Sequence, residues 1–184
     1  LYVHANYAND IRESERFFKK KGIKNIVIVG GRDALNAISI LKENNIPIIL
    51  ERVHSLPVNE DASIDQFYKL PSQLSKNNIL FCLSYSGDME AMGTRNLPFT
   101  AGTAVAYGLD MEKAIASISL NTSIILGIEK TTGSIEIGKN ATFFISNGDA
   151  LDMRTNNIEL SFIKGVPVDL NNHQKELFKK YKNR

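Results

Sequence analysis

The stretch Asn25-Ile26-Val27-Ile28-Val29-Gly30-Gly31-Arg32-Asp33-Ala34 passes from an unbroken apolar run, through a glycine pair, into a helix start. Continuous rather than alternating apolar residues suit a strand buried on both faces, as in a parallel sheet. Similar runs of Val, Ile, Leu and Phe stand at residues 1–5, 46–51 and 79–84. Helical patterns lie between them. Asn9 can cap a segment with Ile11, Ser14 and Phe18 on one face and Lys19-Lys20-Lys21 at its end, where cations suit the helix dipole. Ala34, Ile38 and Leu41 form a second stripe, stopped by Asn44-Asn45 and Pro47. Ile64, Phe67 and Tyr68 begin a third, which Pro71 is expected to interrupt before Leu74 resumes the apolar face. Strand–helix repetition at this spacing predicts right-handed βαβ units.

The overall composition narrows the class without naming a function. With 184 residues the chain exceeds the usual single-domain size of about 150, so one domain plus an appendage is expected. A content of 43% hydrophobic and 23% charged residues excludes disordered, collagenous and low-complexity classes. The net charge of +2, from 22 basic and 20 acidic residues, gives no electrostatic case for nucleic acid or an acidic membrane as partner. The single cysteine, Cys82, cannot build an internal disulfide framework or a cysteine-cage zinc site, and reads as a buried inert thiol. No apolar run approaches the roughly 20 residues of a membrane span. The chain opens on Leu1-Tyr2-Val3-His4-Ala5, β-prone at once and without Met, so a piece of a longer protein is expected, its compartment (cytoplasmic or periplasmic) left open.

Beyond Ser84 the texture changes. Residues 97–109 are small and apolar, fit for a tightly packed helix. Asp110 can cap a helix over 111–120 with Ala114, Ile115 and Ile118 inward, and a further turn or two ends at Gly127. Alternating strands then follow. Residues 134–137 lie between Gly133 and Gly138, residues 141–146 and 158–164 come next, and Gly165 turns the chain into 166–170 as a hairpin. An amphipathic helix over 172–182 is expected to bury Leu177, Phe178 and Tyr181 and to leave its lysines in solvent.

Within this half, Met111-Glu112-Lys113-Ala114-Ile115, Ser119-Leu120-Asn121, Ile125-Leu126-Gly127 and Gly133-Ser134-Ile135-Glu136-Ile137-Gly138-Lys139-Asn140-Ala141 together resemble the C-terminal signature of the amidohydrolase superfamily. The resemblance is to imidazolonepropionase-like members in particular. The family usually has Asp after that alanine, where Thr142 stands here.

The resemblance implies an α/β fold in which residues 1–127 form the second half of a TIM (β/α)8 barrel. Residues 128–184 would be part of a small composite β-sandwich with a C-terminal helix. In the family, metal ligands sit at the C-terminal ends of the barrel strands: a His-x-His pair from the first, one His each from two later strands, and an Asp from the last. They hold a divalent metal, zinc or iron, that activates water against a small-molecule substrate with a non-peptide C–N bond. His4, in Val3-His4-Ala5, matches the fifth-strand metal ligand. The sixth-strand histidine is expected where Gly30-Gly31-Arg32 stands. Asp88, some residues past the last strand, is the candidate for the catalytic aspartate. A catalytic zinc wants about three protein ligands plus water. The implied site is therefore depleted in this chain, to be completed by a missing N-terminal half or by a second copy.

Other residues carry open readings. Arg32, after the glycine pair, could cradle a phosphate, whereas Asp33 reads more simply as a helix cap. His54, in Val53-His54-Ser55-Leu56-Pro57, lies on the side where a barrel site would be and is a candidate substrate contact beside the plainer reading of a loop histidine. Arg95, in Arg95-Asn96-Leu97-Pro98-Phe99, is a candidate for shaping the rim. Glu51 and Arg52 read as an ion pair at the mouth or as solvated groups, and His173 as a surface residue. Ser86 lacks the glycine pattern of a nucleophile elbow. Two other classes stay open: a non-catalytic binding or scaffold protein that kept the barrel, and a doubly wound α/β module that binds phosphate through Gly30-Gly31-Arg32.

Overall fold

The computed structural model describes residues 1–57, 60–86 and 90–182. Strands β1 (Tyr2–Ala5), β2 (Val27–Gly30), β3 (Ile48–Leu50) and β4 (Phe81–Leu83) form a parallel sheet in the order β1-β2-β3-β4. All four predicted strands are there, trimmed to their paired cores. Strand order follows the chain, without the reversal that creates a binding crevice in a doubly wound sheet. The phosphate-binding module read above loses its structural basis here.

Between the strands run α1 (Ala8–Lys20), a 3-10 turn (Ala34–Ala37) leading into α2 (Ile38–Glu43), and α3 (Gln66–Lys76). The sheet register explains which side chains these helices cover. Ile28, Ile48 and Phe81 share one cross-strand row, and Ala5, Gly30, Leu50 and Leu83 another. Side chains alternate along a strand, so both rows point to the same face. They are buried there with Ile11, Ala34, Leu41, Phe67, Leu70 and Leu74. The intervening row, His4, Val29, Ile49 and Cys82, points to the opposite face. That face is open at one edge: His4 is exposed, Val29 and Ile49 are half-buried, and Cys82 is buried.

Local capping departs from the sequence reading in an instructive way. Helix α1 begins at Ala8, so Asn9 is inside it, and its Oδ1 accepts from Arg12 Nη1 at 2.9 Å. The cap comes from across the sheet, because Asp33 Oδ2 accepts from the Ala8 amide at 3.1 Å. Asp33 thus caps its neighbour's helix rather than its own turn. Helix α3 runs through Pro71 instead of breaking there. The proline ring is buried with Phe67, Leu70 and Leu74, and the packing of that face outweighs one missing backbone bond.

The chain then forms α4 (Glu90–Gly93), a 3-10 turn (Thr94–Asn96), α5 (Leu97–Ala106), α6 (Met111–Ser117) and α7 (Leu120–Leu126). Asp110 caps α6 as expected, its Oδ1 accepting from the Lys113 amide at 3.1 Å. The single helix predicted over 111–120 is broken at 118–119, and Ile115 points outward. Gly127 ends α7 at φ +71°, as its sequence position implied. Helix α7 touches both edge strands at their beginnings. Tyr2 Oη donates to the Ile125 carbonyl at 3.4 Å, and Asn121 Nδ2 donates to the Phe81 carbonyl at 3.0 Å.

A second, antiparallel sheet contains β5 (Phe143–Ser146), β6 (Ile158–Ile163) and β7 (Val166–Pro167). The hairpin at Lys164-Gly165 is tight, with φ of 50° and 80°. Thr142 Oγ1 accepts from the Lys164 amide at 3.0 Å, which ties the entry of β5 to that hairpin. Residues 134–137 are not a strand: the backbone turns, Lys139 pairs with Glu136 at 3.1 Å, and Ile135 and Ile137 face solvent. Helix α8 (His173–Tyr181) is capped by Asn172, but Leu177, Phe178 and Tyr181 remain exposed rather than buried. Among the described residues no helix is long and apolar enough to cross a membrane.

Candidate functional site

Polar side chains converge at the C-terminal ends of the four strands. His4 leaves β1 with its side chain 78% exposed, and its Nδ1 lies 3.8 Å from Glu51 Oε1, just beyond β3. Glu51 thus faces His4 rather than Arg52, with which an ion pair is one of the two readings the sequence leaves open. Arg52 instead sets its guanidinium 5.7 Å from the Tyr85 ring centre, and Arg32 stands 5.7 Å from that of Phe67. Such stacking holds a guanidinium in place while its N–H groups remain available. Arg32, Glu51, Arg52, His54, Ser86 and Glu90 share a depression of about 540 Å³.

His54 is the best-anchored of these. Its Nε2 is 2.8 Å from Thr103 Oγ1 on α5, and its ring centre is 5.7 Å from that of Tyr68 on α3. Tyr68 in turn packs 5.1 Å from Tyr107. Partial burial, and then the nearby Arg52 charge, hold the His54 pKa below the ordinary value.

The rim also shows why a histidine does not end β2. Gly30 has φ +115°, and a Cβ there would come within 2.5 Å of Asn6 Oδ1 and 3.0 Å of the Ala5 carbonyl oxygen. Asn6 fills the space, its Oδ1 accepting from the Arg32 amide at 3.5 Å. Sequence reasoning treated Gly30 as a lost ligand and overlooked Asn6. A side chain this close to a strand end carries no sequence signal of its own, because the contact is made only when β1 and β2 pair.

The donors brought together here do not by themselves make up a catalytic metal site. His4 and Glu51 face one another, yet among the described residues no group of three or more His, Cys, Asp or Glu could hold an ion. Asp88 lies outside the described residues. Arg95 sits exposed on the 3-10 turn after α4, apart from the depression's lining, and His173 is exposed on α8. Cys82 is buried beside Thr122, and burial pushes its thiol up to about 11, the inert thiol its strand position implied.

Comparison with known proteins identifies a family for the chain. The model of the amidohydrolase family matches residues 7–169. The chain belongs to that family. An amidohydrolase from Thermotoga maritima MSB8 superposes with a TM-score of 0.78 at 28% identity, over 91% of this chain and 43% of that one. Imidazolonepropionase of Syntrophobacter fumaroxidans is 38% identical over 56 residues, which is 30% of this chain and 13% of that protein. A zinc-bound adenosine deaminase from Xanthomonas campestris shares the fold, with a TM-score of 0.53 at 15% identity over 99% of this chain and 49% of that one. This amidohydrolase-family chain therefore spans less than half the length of the solved relatives named here.

Proposed function

We propose that residues 1–127 are the second half of a TIM barrel and residues 128–184 part of a composite β-sandwich, in a hydrolase acting on non-peptide C–N bonds of a small molecule. The observation that carries this reading is the one-ended placement of polar groups. His4, Glu51, Arg32, Arg52 and His54 gather at the C-terminal strand ends, the face on which such barrels do their chemistry, whereas α7 lies across the opposite end. The link from α7 to both edge strands also suits a sheet curved toward closure. Arg32 and Arg52 offer donors to a substrate carbonyl or carboxylate, and Glu51 and His54 offer acceptors. His4 is the proposed contribution of this side to a divalent metal, zinc or iron, and Asp88 the proposed late aspartate. The remaining donors would come from polypeptide outside this chain, a completing N-terminal half or a second copy.

Metal analysis of the complete protein, combined with hydrolysis of a panel of cyclic amides and ureides, tests this. Stoichiometric zinc or iron with turnover is expected. Neither metal nor turnover would leave the second reading, a non-catalytic binding or scaffold protein on the same fold. The filled slot beside Gly30 favours that reading.

A further inference from the structure

The hydrogen bonds around Thr103 fix more than the position of the His54 ring. Thr103 Oγ1 is 3.0 Å from the Phe99 carbonyl oxygen one turn earlier in α5, and a carbonyl only accepts. The hydroxyl has one proton. If it goes to Phe99, the 2.8 Å contact with His54 must be donated by the ring, from Nε2–H. Both hydrogen bonds are then made. The opposite tautomer would turn the hydroxyl toward Nε2 and give up the bond to Phe99. We propose that Thr103 holds His54 as the Nε2–H tautomer, so that Nδ1 presents its lone pair at the rim as acceptor for an N–H of an amide or ureide substrate.

This rests on the hydrolase reading above and deepens it by naming what the substrate must show: an N–H beside a carbonyl, since the same depression carries Arg32 and Arg52 as carbonyl-directed donors. The charged groups that line the depression with His54 are Arg32, Arg52, Glu51 and Glu90, and Tyr68 flanks the ring from α3. A ring held below its ordinary pKa by burial and by Arg52 is neutral near pH 7, and only a neutral imidazole accepts. His54 would touch substrate, and Thr103 acts through it as a positioning residue.

The experiment is nitrogen–proton correlation spectroscopy of the complete protein labelled at histidine, with the His54 signals assigned through His54→Gln. At pH 8 the expected pattern, read from the two ring-nitrogen shifts, is a proton on Nε2 and a bare Nδ1. Thr103→Val should return the ring to a mixture of the two tautomers while circular dichroism shows the fold retained. Titration with 2-imidazolidinone, a cyclic urea that is not expected to turn over, should shift Nδ1 saturably. A proton found on Nδ1, a single Nε2–H tautomer that survives Thr103→Val, or no saturable Nδ1 shift would each overturn the proposal. Because the readout is binding, a protein that takes the urea at Nδ1 without hydrolysing any amide would keep this inference and lose the hydrolase reading.

Discussion

Gly30 shows how a single position can look like a loss and be a fit. Its positive φ and the Asn6 side chain leave no room for a Cβ, so Gly30→His should lower stability by about 1–3 kcal/mol rather than restore a ligand. Urea unfolding measures this, and adding Asn6→Gly should recover the part due to contact but not the part due to φ. His54 gives a pH signature. Its folded pKa lies below the ordinary value, so on acidification the unfolded chain takes up a proton first. Stability is therefore lost as pH falls below about 6.5, and a His54→Gln variant should show a flatter Tm profile between pH 7 and 5. His4 and His54 were legible as candidates because one stands near the end of a strand in a family-like Val-His-Ala context and the other in the loop after one. Asn6 and Thr103 were not, because each matters only through a neighbour far away in sequence: Gly30 in one case, His54 in the other.

At the level of elements, periodicity located the strands of both sheets and most helices, though it also placed a strand at 134–137 that the chain does not form, and capping chemistry fixed the start of α6. What periodicity could not say was whether a partner surface exists. The stripe on α8 marks the side that would be buried, yet its aromatic residues stay in solvent. The reverse holds for Pro71, where a helix-breaking residue is overruled by the core beneath it. Gly102 on α5 is a further case. A Cβ there would run into the Leu151 carbonyl, so this glycine lets the loop before β6 lie directly against the helix. Gly102→Ala should cost about 1–3 kcal/mol by overpacking. It should also speed amide exchange around Leu151, and unchanged exchange there would mean the loop docks by other contacts.

At the scale of the molecule, large apolar side chains stand exposed together in one half of the described chain. Phe144, Leu160, Ile163, Val166 and Phe178 are all exposed in the second sheet and the final helix, and β1 and β4 end the first sheet as edges. Exposed edges and apolar patches drive association. The 184-residue chain on its own should therefore sediment above monomer mass and bind a hydrophobic dye, and a clean dye-negative monomer would contradict this. Family membership was readable because the run of motifs between Met111 and Ala141 carries it. Whether the sheet closes into a barrel was not, since curvature depends on which strands finally meet.

The same helix fastened to the start of both outer strands has a kinetic meaning. Should the sheet close into the proposed barrel, that helix would cover one end, and whatever arrives over the strand tips would have to depart by the same route. A departing fragment that lingered there would keep the next molecule out, and in a turning-over enzyme product inhibition would be competitive with substrate.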